Sequence, residues 1–278
     1  MKFTKMQGCG NDYIYVDCFQ ENIADRPAAA VKLADRNFGI GGDGLICICP
    51  SDKADFKMDM YNADGSYSQM CGNGIRCVAK YVYDRGLTDK TQITVETGGD
   101  VKTLWLNVEN GKVSTVRVCM GAPEFRPAQI PVASEREDFI LQPVEVLGRN
   151  WLVSCVSVGN PHAVVFVDHV AGLDLPAIGP AFESHPLFPE RVNTEFVEVI
   201  DRNTLKMRVW ERGSGETLAC GTGSTASLVI AAKTGKADDS ARLQLLGGEL
   251  LIEWDRAENL VYMTGPAEIV FDGETDLI

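Results

Sequence analysis

One short motif occurs twice in this chain, 149 residues apart. Met70–Gly74 reads MCGNG and Ala219–Gly223 reads ACGTG, so Cys71 and Cys220 hold the same position in each copy. A period this long excludes a solenoid of small repeats and indicates two similar domains in one chain. Other identities at the same spacing, without gaps, are Gly10-Asn11 with Gly159-Asn160, Lys57-Met58 with Lys206-Met207, Gly98-Gly99 with Gly247-Gly248, and Trp105 with Trp254.

Secondary-structure signals describe the same architecture in each half. A helical pattern follows each cysteine and ends at a glycine fifteen residues on, Gly86 or Gly235. Another helix is predicted from Asp25 to Ala34, and most other segments are short, β-rich and broken by turn residues. We therefore expect an α+β fold of two pseudo-symmetric domains, each a mostly antiparallel curled sheet around a central helix. The functional site is expected at the domain interface, where pockets tend to form.

Composition narrows the class of function. The net charge of −13 disfavours nucleic acid and anionic membranes as partners, since both bind positive patches. No apolar run approaches the roughly 18 residues of a membrane-spanning helix, and Met1–Met6 lacks a signal-peptide core, so we expect a cytoplasmic protein. The nine cysteines include no Cys-x-x-Cys pair and no closely spaced set of zinc ligands. We predict no disulfide framework and no metal.

Two cysteines at helix starts favour acid–base chemistry. The free N–H groups and partial positive charge of a helix N-terminus stabilise a thiolate, and they also bind a carboxylate. Glycines such as Gly72 and Gly221 let a ligand approach the backbone. If both thiols face one carbon, one removes its proton and the other delivers a proton to the opposite face. The pattern therefore favours a racemase or epimerase that needs no cofactor.

A set of motifs is spread along the chain. They are Lys5–Asp12 (KMQGCGND), Met70–Cys77 (MCGNGIRC), Gly159–His162 (GNPH), Arg191–Glu195 (RVNTE), Trp210–Gly213 (WERG) and Ala219–Gly223. Together they resemble the diaminopimelate epimerase family. The resemblance implies conversion of LL-2,6-diaminopimelate to the meso form without a cofactor, a step in lysine and peptidoglycan synthesis. It also implies a homodimer, with Phe271 at a position that is often aromatic at the family's dimer contact.

The same resemblance implies roles for individual residues. Cys71 is the proton donor and Cys220 the acceptor in one direction, with the roles reversed in the other. His162 and Glu211 support catalysis: His162 tunes a catalytic cysteine, and Glu211 with Arg212 contacts the amino and carboxylate groups of the substrate. Gly44 departs from the pattern, because many members have glutamine there, which leaves water or a backbone group to replace that contact. The implied substrate-binding residues are Asn11, Asn62, Gly72, Asn73, Asn160, Asn193, Glu211, Arg212, Gly221 and Thr222.

The resemblance also implies that the C-terminal segment crosses back onto the first domain. The expected domains are residues 1–118 with 265–278, which carry Cys71, and residues 119–264, which carry Cys220. The stretch from Arg126 to Asp138 has the weakest secondary-structure signal, which indicates a linker or an exposed loop.

Three other functions remain open on the sequence. A thiol racemase for proline or hydroxyproline carries similar Cys-Gly motifs, although the four asparagines and Arg212 favour a substrate with two amino-acid ends. A thiol redox or zinc protein is a second alternative. A module that binds diaminopimelate without turning it over is the third.

Overall fold

The computed structural model describes residues 1–278, which divide into two compact units. Unit 1 comprises Met1–Val118 and Thr264–Ile278, and unit 2 comprises Cys119–Met263. None of the helices is both long enough and apolar enough to span a membrane.

The first part of the chain contains eight strands and two helices. They are β1 (Lys2–Gly8), β2 (Asn11–Asp17), α1 (Arg26–Ala34), β3 (Gly44–Cys49), β4 (Phe56–Asn62), β5 (Tyr67–Ser68), α2 (Gly72–Asp84), β6 (Gln92–Glu96), β7 (Val101–Glu109) and β8 (Lys112–Gly121). A short 3-10 helix, Pro127–Gln129, follows.

The second part contains β9 (Gln142–Val146), β10 (Arg149–Ser157), β11 (Pro161–Phe166), α3 (Leu175–Glu183), β12 (Asn193–Asp201), β13 (Thr204–Glu211), β14 (Gly215–Thr217), α4 (Gly221–Lys233), β15 (Ser240–Leu245), β16 (Gly248–Asp255), β17 (Leu260–Pro266) and β18 (Glu268–Glu274). It repeats the order of the first part from β10 to β17, with one additional strand before it, β9, and one after it, β18. Helices α3 and α4 begin 149 residues after α1 and α2 and have the same lengths.

Strand pairing is the same in the two units. In unit 1, β1 runs antiparallel to β2, β2 parallel to β3, and β3 antiparallel to β4. In unit 2, β10, β11, β12 and β13 pair in the same senses. Strand β18 pairs antiparallel with β1, as β9 does with β10. The predicted α+β fold with two similar, mostly antiparallel halves is confirmed.

Local signals explain where the first helix of each unit begins. The carboxylate of Asp25 accepts a hydrogen bond from Ala28 N at 3.0 Å, and Asp174 caps α3 in the same way through Ala177 N at 3.3 Å. An N-cap carboxylate satisfies one of the backbone donors that a helix leaves free, and a proline occupies the first turn of each helix.

Helices α2 and α4 are the central, buried helices. Of the thirteen residues in each, all but two in α2 and all but three in α4 are buried. Both end in front of a glycine with a left-handed backbone, Gly86 at φ 73° and Gly235 at φ 72°. This conformation is strained for other residues and is typical of a helix C-terminus. The helix ends predicted from the sequence are thus found in the structure.

Each unit has its own apolar core. In unit 1 the core residues come from β1, β2, β3 and α1, and Cys47 and Cys49 pack among them. The core of unit 2 includes Ile130 and Val132, which are 1% and 5% exposed. The segment from Arg126 to Asp138 is therefore not a linker, because Ile130 and Val132 are part of the unit 2 core. All nine cysteines are free thiols.

Candidate active site

Cys71 is the N-cap of α2 and its thiol is held from two sides. Its sulfur accepts a hydrogen bond from Gly74 N at 3.3 Å, which uses one of the free donors of the helix. The thiol donates to Asn11 Oδ1, 3.2 Å away, and Asn11 Nδ2 donates to Asp43 Oδ2 at 2.7 Å. Asn11 thus connects a carboxylate of the β2–β3 region to the thiol at the start of α2.

Cys220 caps α4 with the same geometry. Its backbone angles, φ −123° and ψ 114°, are close to the φ −137° and ψ 116° of Cys71. Its sulfur accepts a hydrogen bond from Gly223 N at 3.3 Å and lies 3.4 Å from Thr222 Oγ1. The two predicted thiols therefore occupy equivalent positions in their units.

The expectation that a helix terminus lowers the thiol pKa is wrong for Cys220. Burial raises the pKa of this thiol well above its ordinary value, and the carboxylates of Glu211 and Glu195 raise it further. The hydrogen bonds from Thr222 and Gly223 act in the opposite direction but are outweighed. The free-energy cost of transferring a thiolate out of water is larger than the stabilisation that one helix N-terminus provides.

Glu211 is the last residue of β13 and lies beside Cys220. Thr217 Oγ1 donates a hydrogen bond to Glu211 Oε1. Burial raises the pKa of the Glu211 carboxyl, while the hydrogen bonds with Thr217 and Cys220 oppose this rise. A half-buried carboxylate in contact with a thiol is placed to exchange a proton with it.

His162 lies in a chain of buried polar groups. Its Nε2 atom is 2.8 Å from Asn160 Oδ1, and its Nδ1 atom is 2.7 Å from Glu195 Oε1. Asn160 Nδ2 donates to Thr222 Oγ1 at 3.3 Å. The structure therefore brings four sequence-predicted residues of unit 2 together, namely Asn160, His162, Thr222 and Cys220.

The two other predicted asparagines, Asn193 and Asn62, bond to groups outside these networks. Asn193 is 4% exposed; its Nδ2 donates to Pro161 O at 2.9 Å, and its Oδ1 accepts from Arg212 N at 2.9 Å. Asn62 Nδ2 donates to Ser66 Oγ at 3.0 Å within a turn. The Arg212 side chain donates to Glu190 O at 3.0 Å. Asn193 thus fixes the backbone at Arg212, and Asn62 closes a turn.

The remaining predicted residues lie in the first turns of the two central helices. Gly72, Asn73 and Gly221 are buried, and Thr222 is half-buried. Gly223 has no free space around it, because a Cβ there would lie 2.6 Å from Glu195 Oε1. Its lack of a side chain makes room for Glu195 rather than for a ligand.

Gly44 stands where no side chain fits. A Cβ at this position would lie 2.1 Å from the carbonyl oxygen of Tyr61 and 2.9 Å from a ring carbon of Tyr13. Glycine at position 44, where many family members have glutamine, thus coincides with close packing of β4 against the start of β3.

Sequence reasoning missed two residues, Glu195 and Asp43. Each anchors an asparagine or histidine that was predicted, and each is distant from its partner in sequence. A signal for Glu195 was available, since it lies inside the RVNTE motif and 149 residues after the apolar Ile46.

A cavity of about 380 Å³ lined by Lys2, Thr4, Arg85 and Asp272 contains none of the predicted site residues. No cluster of three or more His, Cys, Asp or Glu side chains is placed to hold a metal ion.

Comparison with solved structures identifies the class of fold. The chain matches a phenazine biosynthesis protein of the PhzF family from Bacillus anthracis with a TM-score of 0.71 and 17% identity, covering 99% of this chain and 98% of that chain. It matches a hydroxyproline epimerase from Agrobacterium vitis with a TM-score of 0.68 and 14% identity, covering 99% and 90%. At these identities the likeness establishes the fold alone. The chain therefore has the fold of these two proteins.

Sequence comparison gives the family. The diaminopimelate epimerase family model matches residues 3–126 and 154–270. The diaminopimelate epimerase of Acetivibrio thermocellus is 58% identical over 277 residues, covering 100% of this chain and 99% of the relative. That of Methanococcus maripaludis is 52% identical over 277 residues, covering 100% of both. The chain belongs to the diaminopimelate epimerase family, and the resemblance seen in its motifs is confirmed.

Proposed function

We propose that this protein is an isomerase that converts LL-2,6-diaminopimelate to the meso form by acid–base catalysis with two cysteines and no cofactor. The observation that carries the proposal is the equivalent capping of α2 and α4. In each unit a cysteine sulfur accepts a hydrogen bond at 3.3 Å from the glycine N–H three residues on, and the chain belongs to the diaminopimelate epimerase family. Equivalent thiols suit a reaction that must work in both directions.

The surroundings of the two thiols differ. Asn11 Nδ2 donates a hydrogen bond to Asp43, because an ionised carboxylate can only accept. The oxygen of the Asn11 amide, Oδ1, therefore faces Cys71. Since this oxygen also can only accept, the hydrogen between the two groups belongs to the Cys71 thiol. Cys220 lies next to Glu211, which is placed to take its proton. We assign Cys71 as the donor and Cys220 as the acceptor for one direction, with the roles reversed in the other.

The reaction needs a stabilised carbanion. When Cys220 removes the α-proton, negative charge develops next to the substrate carboxylate. The N-terminal turns of α2 and α4 offer backbone N–H groups and partial positive charge, and we propose that Gly72, Asn73, Gly221 and Thr222 contribute to binding that carboxylate. Cys71 then delivers its proton to the opposite face, which inverts the centre.

The polar residues around the thiols suit a substrate with a second amino-acid end. We propose that Asn11, Asn160, Arg212 and Glu211 contact the substrate directly. Asn193 holds the backbone of Arg212, and Asn62 closes the turn after β4. We propose that these two amides do not contact the substrate and instead position neighbouring parts of the chain that do. His162 supports the site through Asn160.

We also propose a domain organisation, an oligomeric state and a cellular location for the enzyme. The two units correspond to two epimerase domains, residues 1–118 with 265–278 and residues 119–264. Exposed apolar side chains on β18 and at the C-terminus, Val270, Phe271, Leu277 and Ile278, support a homodimer formed through this region. We place the enzyme in the cytoplasm, where its nine free thiols stay reduced. Light scattering of the native protein and of Phe271→Asp tests the dimer, because a charged residue there is expected to give monomers.

Solvent deuterium exchange tests the function. The protein is incubated with LL-diaminopimelate in heavy water, and proton NMR follows the α-hydrogen signals as the meso form appears. We expect deuterium at one α-carbon for each turnover, and L-proline treated in the same way should keep its α-hydrogen. Exchange on proline but not on diaminopimelate would establish the racemase alternative. Binding of diaminopimelate without exchange would establish a binding module.

A further inference from the structure

His162 and Glu195 form a pair that is completely buried. Both side chains are 0% exposed, and His162 Nδ1 lies 2.7 Å from Glu195 Oε1. The second carboxylate oxygen, Oε2, is buried without a hydrogen-bond partner. Asn160 Nδ2 donates to Thr222, so the Asn160 oxygen accepts from His162, which places a proton on Nε2 and leaves Nδ1 facing Glu195 Oε1.

The proton on Nε2 sets the direction of the hydrogen bonds beyond it. His162 Nε2–H donates to Asn160 Oδ1 at 2.8 Å, and Asn160 Nδ2 donates to Thr222 Oγ1 at 3.3 Å. Because the Thr222 oxygen accepts from Asn160, its own hydrogen is available for the Cys220 sulfur, 3.4 Å away. A hydroxyl that donates to sulfur favours the thiolate over the thiol.

The other half of the chain shows that the fold does not need a charge at this position. Glu195 lies on β12 and Ile46 lies 149 residues earlier on β3. Each packs against the third residue after the capping cysteine, since a Cβ at Gly74 would lie 2.7 Å from Ile46 Cδ1 and a Cβ at Gly223 would lie 2.6 Å from Glu195 Oε1. The same architecture thus forms with an apolar residue in unit 1, so a role in folding does not account for the carboxylate in unit 2.

We propose that Glu195 is a positioning residue that acts on Cys220 through His162, Asn160 and Thr222. By keeping the proton on His162 Nε2, it turns the Thr222 hydroxyl hydrogen towards the sulfur and favours the thiolate that accepts the substrate proton. Its importance for turnover rests on the proposed epimerase function. Its effect on the thiol is a property of the free protein.

Two substitutions separate positioning from simple electrostatics. Glu195→Ile gives unit 2 the residue that unit 1 has at the equivalent position, Ile46. We expect the variant to fold, because isoleucine already packs at this place in unit 1. Loss of the ordered hydrogen bonds should raise the Cys220 pKa by about one unit, the size of one charge-assisted hydrogen bond. Removal of a nearby negative charge alone would instead lower this pKa, because the Glu195 carboxylate raises it. Glu195→Gln keeps a hydrogen-bond partner for His162 Nδ1 but removes the charge, so the Cys220 pKa should not rise in this variant.

The measurement is a titration of the Cys220 ¹³Cβ chemical shift in protein with labelled cysteine, with Cys220→Ser to assign the signal. Glu198→Gln is the matched control, because Glu198 lies on the same strand and pairs at 3.4 Å with an exposed histidine, His169. We expect a higher Cys220 pKa in Glu195→Ile only. A fall or no change in that variant would overturn the proposal.

A second measurement uses only the native protein. Nitrogen-15 NMR of labelled histidine should show His162 with a proton on Nε2 throughout pH 6–9. A neutral ring with its proton on Nδ1 alone would overturn the proposal even if Glu195→Ile does not fold. Neither measurement uses substrate, so a failure of the proposed epimerase activity would be recognised separately, in the deuterium-exchange experiment.

Discussion

The sulfur of Cys71 lies 3.2 Å from Oδ1 of Asn11, and the amide oxygen can only accept the hydrogen bond between them. Asn11 is fixed in this orientation because its Nδ2 donates to the carboxylate of Asp43 at 2.7 Å. Both sulfurs accept from a glycine N–H, but Cys71 is held as a thiol by Asn11, whereas Cys220 lies beside the Glu211 carboxylate. Two halves with the same backbone therefore present chemically different thiols, as expected when one donates and the other accepts a proton.

Replacing either thiol should abolish epimerisation. We expect Cys71→Ala and Cys220→Ala each to lower kcat by at least about 10²–10⁴-fold, the usual contribution of a positioned acid or base. The circular dichroism spectra of both variants should match the native spectrum. The change in optical activity of LL-diaminopimelate measures turnover, and Cys119→Ala, a half-buried thiol of β8, is the control. Near-native turnover in either active-site variant would refute the two-thiol mechanism.

Glu211→Gln should change both the rate and the pH dependence. The Glu211 carboxylate raises the pKa of Cys220, so removing its charge favours the thiolate and lowers that pKa. The acid limb of the kcat/KM profile should consequently move to lower pH. At the same time kcat should fall, because the thiol loses the group that takes its proton.

Measuring kcat/KM from pH 6 to 10 in the native protein, Glu211→Gln and the exposed control Glu145→Gln checks this expectation. If the acid limb of the kcat/KM profile does not move while kcat falls, Glu211 contacts substrate without acting on the Cys220 thiol.

Gly223→Ala should destabilise unit 2. The added methyl group would lie 2.6 Å from Glu195 Oε1, so the carboxylate or the first turn of α4 must move. We expect the free energy of unfolding to fall by about 1–3 kcal/mol, as for other overpacked sites. The control is Gly172→Ala, where a Cβ meets no atom within 4 Å and the change should stay within about 0.5 kcal/mol. Urea denaturation gives both values, and similar losses in the two variants would contradict the close packing of Glu195 on Gly223.

The helix caps Asp25 and Asp174 should contribute similarly to stability. Their carboxylates accept from Ala28 N at 3.0 Å and from Ala177 N at 3.3 Å, at equivalent places of α1 and α3. Each Asp→Ala change should cost about 1 kcal/mol of unfolding free energy. Urea denaturation of the two variants, with the exposed Glu137→Ala as control, measures this, and an effect in one unit only would argue against equivalent caps.

Much of the fold could be predicted because its signals are local. The repeated Cys-Gly-x-Gly motif, the apolar pattern after it, and Gly86 or Gly235 at the end define α2 and α4 without reference to the rest of the chain. Asp25 and Pro27 define the start of α1 in the same way. The stretch around Ile130 was misjudged, because scattered apolar residues give no periodic signal even when they pack into a core.

The sequence by itself determined the duplication, the two thiols at equivalent helix starts and the family, since each depends on residue identity and spacing. Only the tertiary structure decided the chemistry around those thiols. His162 meets Glu195, and Asn11 meets Asp43, across 33 and 32 residues of chain. The raised pKa of Cys220 arises from burial and from carboxylates on other strands. Proton affinity depends on the solvent and charges that surround a group, and those are set by which segments fold together.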